Sequence, residues 1–306
     1  MMADRILNNK PDKAIRGELL FNEPMSKHTS WRVGGVADCY FKPADVDDLA
    51  EFLKSQKQTQ AIYWVGLGSN LLVRDAGIRG TVIMTSGLLN NLDLLENNQV
   101  RAEAGLACPK VARFVAKNNM QGAEFLAGIP GTIGGALAMN AGAFGGETWE
   151  KVISVETLDK SGQRYVHHPD DYEIAYRSVK GPKDEWFVAA TFQFEAGDGE
   201  ASLANMKTLL EKRNATQPTN QPSCGSVFRN PPGDYAARLI ESCGLKGYCI
   251  GGACVSEKHA NFIVNTGSAT ASDIESLILH VAAEVKTQKG IDLIREAHIL
   301  GDAYDK

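Results

Sequence analysis

Residues 128–146 read GIPGTIGGALAMNAGAFGG, seven glycines in nineteen positions. Glycine weakens helix and strand alike, so this stretch cannot be one regular element from end to end. A bend this dense in glycine serves one of two ends. It packs backbone against backbone, or it brings several N–H groups close to a phosphate.

Moving outward, a second glycine-bearing turn lies upstream in VGLGSNLLV, residues 65–73. It follows the β-rich run AIYWV at 61–65, which places the turn directly after a strand. A dinucleotide-binding turn of the Rossmann kind needs a third glycine at position 71, where this chain has Leu71. No glycine-lysine-Ser/Thr sequence is present either, which excludes a Walker motif. Taken alone, the segment is equally a tight turn or a phosphate site. Two such bends in one chain favour a cradle for a pyrophosphate, with Ser69, Asn70 and Asn140 as candidate side-chain donors.

The flanking sequence supplies the scaffold. DVDDLAEFLKSQK at 45–57 has Val46, Leu49, Phe52 and Leu53 at helical spacing, acids leading and lysines trailing. TVIM (81–84) and VRAEAG (100–105) read as strands, and Pro109 opens a helix with Val111, Ala112, Phe114 and Val115 on one face. Beyond the glycines, VISVETLD (152–159), QRYVHH (163–168) and FVAATFQF (187–194) suggest an antiparallel sheet. A helix is expected at 201–213, with the stripe Leu203, Met206, Leu209 and Leu210, then a loop rich in Pro, Gly, Ser and Asn at 216–233. The last part reads as a helix at 234–243, a strand at 260–265, a helix at 272–289 and a β run, IDLIREAHIL. For the long helix, Ser272 and Glu275 form the expected capping box and Gly290 the stop.

With 306 residues, 43% hydrophobic and 23% charged, the composition is that of a globular protein of two or three domains. A net charge of −5 without a block of like charge argues against nucleic-acid binding. The opening MMADRILNNKPDKAIRG has no apolar run of signal-peptide length and no stretch is long enough to span a bilayer, so a cytoplasmic protein with no membrane partner is expected. Six cysteines lack C-x-x-C spacing, and the histidines lack metal-ligand spacing; no metal and reduced, buried thiols are expected.

Groups for chemistry are few. Ser226 follows a glycine in a loop, but G-x-S-x-G is absent, so it is no hydrolase elbow. Arg177, after Tyr176, ends a polar stretch, and its fork suits a carboxylate or phosphate. Glu296 interrupts an apolar alternation beside Arg295, and a carboxylate turned inward is costly unless paired or functional.

Six segments in order, HTSWRVGG (28–35), VGLGSNLLV (65–73), IPGTIGGALAMNAGAFGGE (129–147), YRSVK (176–180), QPSCGSVFRNPPG (221–233) and REAHILG (295–301), resemble the UDP-N-acetylenolpyruvoylglucosamine reductases. The likeness runs from about residue 17 onward. It implies an α+β architecture: an FAD-binding fold of the vanillyl-alcohol-oxidase (PCMH) type in two subdomains, 1–85 with the strand 296–306 returning to it and 86–212, plus a substrate-binding domain, 213–295. Non-covalent FAD would lie against Gly66, Gly68, Ser69, Asn70, Leu71, Ile129, Pro130, Gly131, Gly134, Gly135, Asn140, Gly142 and Ala143. NADPH would donate hydride, and a UDP-sugar enolpyruvyl ether would be reduced in peptidoglycan synthesis by a monomeric enzyme.

In the likeness Arg177 stabilises charge developing on the substrate carboxylate, Ser226 protonates C2, and Glu296 polarises the carboxylate. Tyr176 belongs with the substrate, and Arg213 and Asn230 are candidates for UDP contacts. The short stretch from Tyr176 to Phe187 leaves no room for the tyrosine-bearing loop of one subgroup, so the chain resembles the subgroup without it. Two rival readings are an oxidase of the same flavin fold and a catalytically silent nucleotide-binding module.

Overall fold

A computed structural model describes residues 14–57 and 59–302. The chain forms two compact units. The first holds the described residues up to Leu20, Cys39–Leu67 and Gly80–Leu210; the second holds Phe21–Asp38, Gly68–Arg79 and the described residues from Glu211 on. One four-stranded sheet has the order Glu18–Pro24, Val36–Lys42, Ile78–Met84, Ile62–Val65. Its last two strands are parallel, with Ile62 opposite Thr81 and Val65 opposite Met84.

In the first unit, the helix Val46–Ser55 starts where the charge pattern predicts, with the Asp45 carboxylate accepting from the Asp48 N–H. Leu49, Phe52 and Leu53 are fully buried, and the Phe52 ring stacks on Phe41 at 3.8 Å. The expected antiparallel sheet is present with five strands, in the order Arg164–His167, Val152–Asp159, Glu185–Gln193, Gln99–Glu103, Leu92–Leu94. Its core is shared with the helix Cys108–Lys117, opened by Pro109 as expected, and with the helix Ile133–Met139. The helix Gly199–Thr216 differs from expectation, since only Met206 of its four-residue stripe is buried. A Cβ on Gly199 would lie 2.1 Å from the Ala116 carbonyl oxygen, so the helix seats its small residues, Gly199 and Ser202, inward.

In the second unit, the antiparallel strands Cys249–Ile250, Ala253–Val255 and Ile263–Asn265 pack with the helices Ala236–Ser242 and Ala271–Lys289. Ile274, Leu277, Ile278, Val281 and Val285 of the long helix are buried, and Gly290 ends it in the left-handed region, as the sequence implies. The cap is corrected: Thr270 with Asp273 forms the capping box, and Glu275 instead pairs with Arg74 at 2.7 Å. Ser272 donates its N–H to the Asp75 carboxylate.

The final β run is also shorter than expected. Only His298–Leu300 is strand, parallel to Leu71–Val73, because residues 294–297 run instead beside Val227–Arg229. The expectation that all thiols are reduced is overturned at one pair. Cys249 and Cys254 are bonded, since the hairpin sets them directly opposite with Cα atoms 4.1 Å apart. Cys108, Cys224 and Cys243 are free thiols. Among the described residues no helix is long and apolar enough to cross a membrane.

Candidate functional site

The glycine-rich segment folds as a short helix, Ile133–Met139, between two bends. Its entry is tied down by backbone bonds: Cys108 N–H donates to Gly131 O, Ile133 to Leu106 O, and Gly134 to Ala104 O. The amides of Gly131, Ile133 and Gly134 are therefore engaged within the protein, Gly131 donating to Ile129 O. One hydroxyl is not. The side chain of Thr132 is 2% exposed, and its Oγ1 has no hydrogen-bond partner. A Cβ on Gly66 would come within 2.4 Å of that oxygen. An orphaned buried hydroxyl beside a glycine-rich bend suits a diphosphate oxygen, and the first unit fits a flavin dinucleotide at this point.

Asn140 ends the short helix at φ 43°. Sequence reading makes it a side-chain donor to the cofactor; in the structure its donors are engaged within the protein. Its amide donates to Glu147 Oε2 at 2.7 Å and to Ala175 O at 3.3 Å, and its Oδ1 accepts from Trp149 N–H at 3.1 Å. The same residue meets the arginine candidate. Arg177 lies in the two-residue turn between the strands Glu173–Ala175 and Ser178–Lys180, with φ 55°. Its Nη1 donates to Asn140 O at 3.2 Å and its Nη2 to Gly142 O at 2.9 Å, while its guanidinium carbon lies 5.0 Å from the Tyr176 ring centroid. Tyr176 is 46% exposed. Four residues, 181–184, join this hairpin to Glu185–Gln193, which leaves no inserted loop there.

The second unit assembles the other two reaction candidates. Val227 O, next to Ser226, accepts from Glu296 N–H at 2.8 Å, and Val227 N–H donates to Asn261 O at 2.9 Å. Asn261, 3% exposed, also bridges both backbone groups of Phe228. Ser226 and Glu296, seventy positions apart, thus sit on adjacent clasped segments. Asn70 joins them: its amide donates to Glu296 O at 3.0 Å, and its carbonyl accepts from His298 N–H. Burial pushes the Cys224 thiol well up, and the charge of Glu296 adds to it, placing that carboxylate in the same locality. Gly68 opens this stretch at φ 68°, and Ser69 and Leu71 follow.

The remaining substrate candidates lie in the same unit. Arg213 is half-buried; burial pushes its guanidinium below the ordinary value, and its Nε donates to Gln217 Oε1 at 3.0 Å. Among the described residues no carboxylate pairs with it. Asn230 is exposed, and its Oδ1 accepts from Ala236 N–H at 3.1 Å, which caps the helix Ala236–Ser242. Sequence reading missed Thr132, Trp149, Asn261 and Arg229, whose Nε is buried without a partner. None stands out by residue type alone, because whether a polar group is bonded or left unpartnered shows only in the folded chain. Among the described residues no group of His, Cys, Asp and Glu could hold a metal ion.

Residues 37–166 match the family description "FAD binding domain", and residues 217–300 match "UDP-N-acetylenolpyruvoylglucosamine reductase, C-terminal domain". The chain is 57% identical over 289 residues to the UDP-N-acetylenolpyruvoylglucosamine reductase of Legionella pneumophila (strain Corby), covering 94% of each. It is 56% identical to that of Methylococcus capsulatus, covering 94% of this chain and 95% of the relative. The crystal structure of the reductase from Thermus caldophilus superposes with a TM-score of 0.80 at 30% identity, over 94% of this chain and all of that one.

Proposed function

This chain belongs to the UDP-N-acetylenolpyruvoylglucosamine reductase family, and on that premise we propose that Arg177, Ser226 and Glu296 carry its chemistry. The enzyme is an FAD-containing oxidoreductase of the PCMH-type fold. It uses NADPH to reduce UDP-N-acetyl-3-O-(1-carboxyvinyl)glucosamine to UDP-N-acetylmuramate, a step in peptidoglycan precursor synthesis. Bound FAD supplies the two-electron link between NADPH and C3 of the substrate double bond.

The chain's own residues have four tasks. Gly66 and Thr132, with Ile129, Pro130, Gly131, Gly134, Gly135, Gly142 and Ala143, hold the FAD diphosphate; Gly68, Ser69, Asn70 and Leu71 complete the cofactor set. Arg177 stabilises negative charge developing at C2 and in the adjacent carboxylate, a fixed cation needing no reorganisation as charge appears. Ser226 gives the proton to C2. Serine is a weak acid, and the enolate-like species is basic enough to take its proton. Glu296, protonated or hydrogen-bonded, polarises the substrate carboxylate, while Tyr176, Arg213 and Asn230 contact the substrate. The observation that carries this reading is the clasp of Ser226 and Glu296 through Val227 in a chain 57% identical to a reductase over 94% of its length. We further propose that residues 213–295 act as the substrate-binding domain and that the enzyme works as a cytoplasmic monomer.

Anaerobic titration tests the proposal. NADPH should bleach the flavin, and the enolpyruvyl substrate should restore its colour. In Ser226→Ala the bleaching should persist and the restoration should fail. A flavin that the substrate reoxidises at the wild-type rate in this variant removes Ser226 from the mechanism.

A further inference from the structure

We propose that Asn140 is a positioning residue for Arg177, the joint that fixes the substrate-side guanidinium to the glycine-rich segment; this rests on the role given to Arg177 above. All the contacts lie in the first unit. Asn140 is 2% exposed, and every polar group of its side chain is used. Through its amide it holds Ala175 O, the last carbonyl before the Tyr176–Arg177 turn. Through its own backbone carbonyl it holds Nη1 of Arg177, and two residues on, Gly142 O holds Nη2. One residue therefore fixes the base of the turn and part of the fork at its tip.

The two carbonyls grip the guanidinium from the glycine-rich side. Each carbonyl oxygen takes one arm of the fork and so sets the plane of the guanidinium. A carboxylate is close at hand. A Cβ on Gly142 would touch both Arg177 Nη1, at 3.3 Å, and Glu147 Cγ, at 3.1 Å. The Asn140 amide donates to Glu147 Oε2 and so fixes that acid in place beside the turn. The turn itself does not hold Arg177 by preference, since φ 55° is a region that arginine rarely adopts. Trp149 completes the joint. Its N–H donates to Asn140 Oδ1, its indole N–H to Leu137 O at 2.8 Å, and its ring packs on Tyr172, which begins the hairpin, at 4.8 Å.

The test uses the flavin-loaded full chain with Asn140→Gly and Asn140→Asp. Glycine keeps the left-handed backbone without strain and deletes the side-chain bonds; aspartate keeps the shape and the bond from Trp149 but loses both donors. Both variants should be bleached by NADPH at the wild-type rate. Reoxidation by the enolpyruvyl substrate should slow by roughly 10–100-fold, the scale of a misplaced catalytic group. In an Arg177→Ala background, Asn140→Gly should add less than about twofold, since the two act as one unit. Reoxidation within about twofold of wild type, parallel loss of both half-reactions, or full additivity with Arg177→Ala would overturn the assignment. If the glycine variant does not fold, the aspartate variant decides. An Arg177→Ala enzyme that reoxidises at full speed would instead sink the role of Arg177, a separate failure.

Discussion

Gly66 and Gly68 stand two residues apart in one turn, yet they fall in different units and meet different demands. At Gly68 the backbone has φ 68°, and a Cβ would sit 1.9 Å from the carbonyl oxygen of His28. No side chain fits there, with or without a ligand. At Gly66 a Cβ would meet the Thr132 side chain, its Cβ and Cγ2 at 3.5 Å and its hydroxyl, which has no hydrogen-bond partner, at 2.4 Å. One glycine is required by the backbone, the other by a single side chain whose hydroxyl the protein leaves unpartnered. The contrast extends to the units that hold them. The first offers backbone and neutral groups to a ligand, and fixes its arginine by carbonyls. The second clasps distant segments to bring a serine and a carboxylate onto neighbouring stretches.

The sharpest way to break that contrast is to fill both glycines. Gly68→Val forces a branched side chain into a left-handed site against backbone, and should cost about 4 kcal/mol or more, a severe fold defect. Thermal melting should drop steeply, flavin or no flavin. Gly66→Ala presses on a single side chain that can turn aside, so it should lower the melting of the flavin-free protein far less than Gly68→Val while the purified protein comes out colourless. A yellow Gly66→Ala enzyme, or a Gly68→Val protein that melts like wild type, would erase the distinction.

Next in size is the electrostatic role of the first unit. Arg177→Ala should raise the barrier of substrate reduction by about 2.7–4 kcal/mol, the cost of losing one aimed charge stabiliser, and leave flavin reduction by NADPH intact. Stopped-flow measurement of the two half-reactions reads this directly. Equal slowing of both would show that the carbonyl-held guanidinium supports the glycine segment as a whole and has no specific task on the substrate.

Much of this was legible in the sequence where a period or a turn rule decides. The helix Val46–Ser55 follows its 3.6-residue stripe and its Asp45 cap, and the antiparallel strands follow their alternation. The long helix shows where local signals compete. Both Thr270-x-x-Asp273 and Ser272-x-x-Glu275 satisfy the capping-box rule, and the choice falls to Thr270 because Arg74, far away in sequence, takes Glu275. For the site, Glu296 stands out as an acid in an apolar alternation, whereas Arg177 and Ser226 take their proposed roles from the family resemblance. Asn140 was read as a ligand donor because the sequence cannot tell which hydrogen bonds the protein itself will claim. Thr132 was passed over for the converse reason, since an unpartnered hydroxyl becomes visible only once its surroundings are built.

A smaller effect probes the second unit. The Cys249–Cys254 bond closes a short ring across a hairpin already joined by Val255 N–H to Tyr248 O and Gly247 N–H to Val255 O. The chain-entropy model assigns so short a ring about 2 kcal/mol at most. Replacing both cysteines by serine should therefore lower Tm by a few degrees and leave both half-reactions unchanged. Alkylation before and after reduction should reveal two further thiols per chain. A collapse of the second unit on reduction would mean that the hairpin depends on the bond.

The smallest effect concerns the ion pair that displaced the expected cap. Arg74 meets Glu275 through two bonds, 2.9 and 2.7 Å, and the guanidinium holds the Glu275 carboxyl below its ordinary range, chiefly by hydrogen bonding. A carboxyl depressed in the folded state stabilises at pH values above its unfolded value, near 4, and that contribution fades as pH falls through the folded value. Both side chains are partly exposed, at 35% and 21%, so solvent screening limits the pair to about 1 kcal/mol. Glu275→Gln should thus melt slightly below wild type at pH 7, and the gap should close as the pH is lowered past 4, where protonated glutamic acid resembles glutamine. High salt should narrow the gap at pH 7 as well. A gap that persists undiminished at pH 3 would assign the loss to packing of the helix Ala271–Lys289 and remove the ion pair from the account of how the second unit holds its long helix.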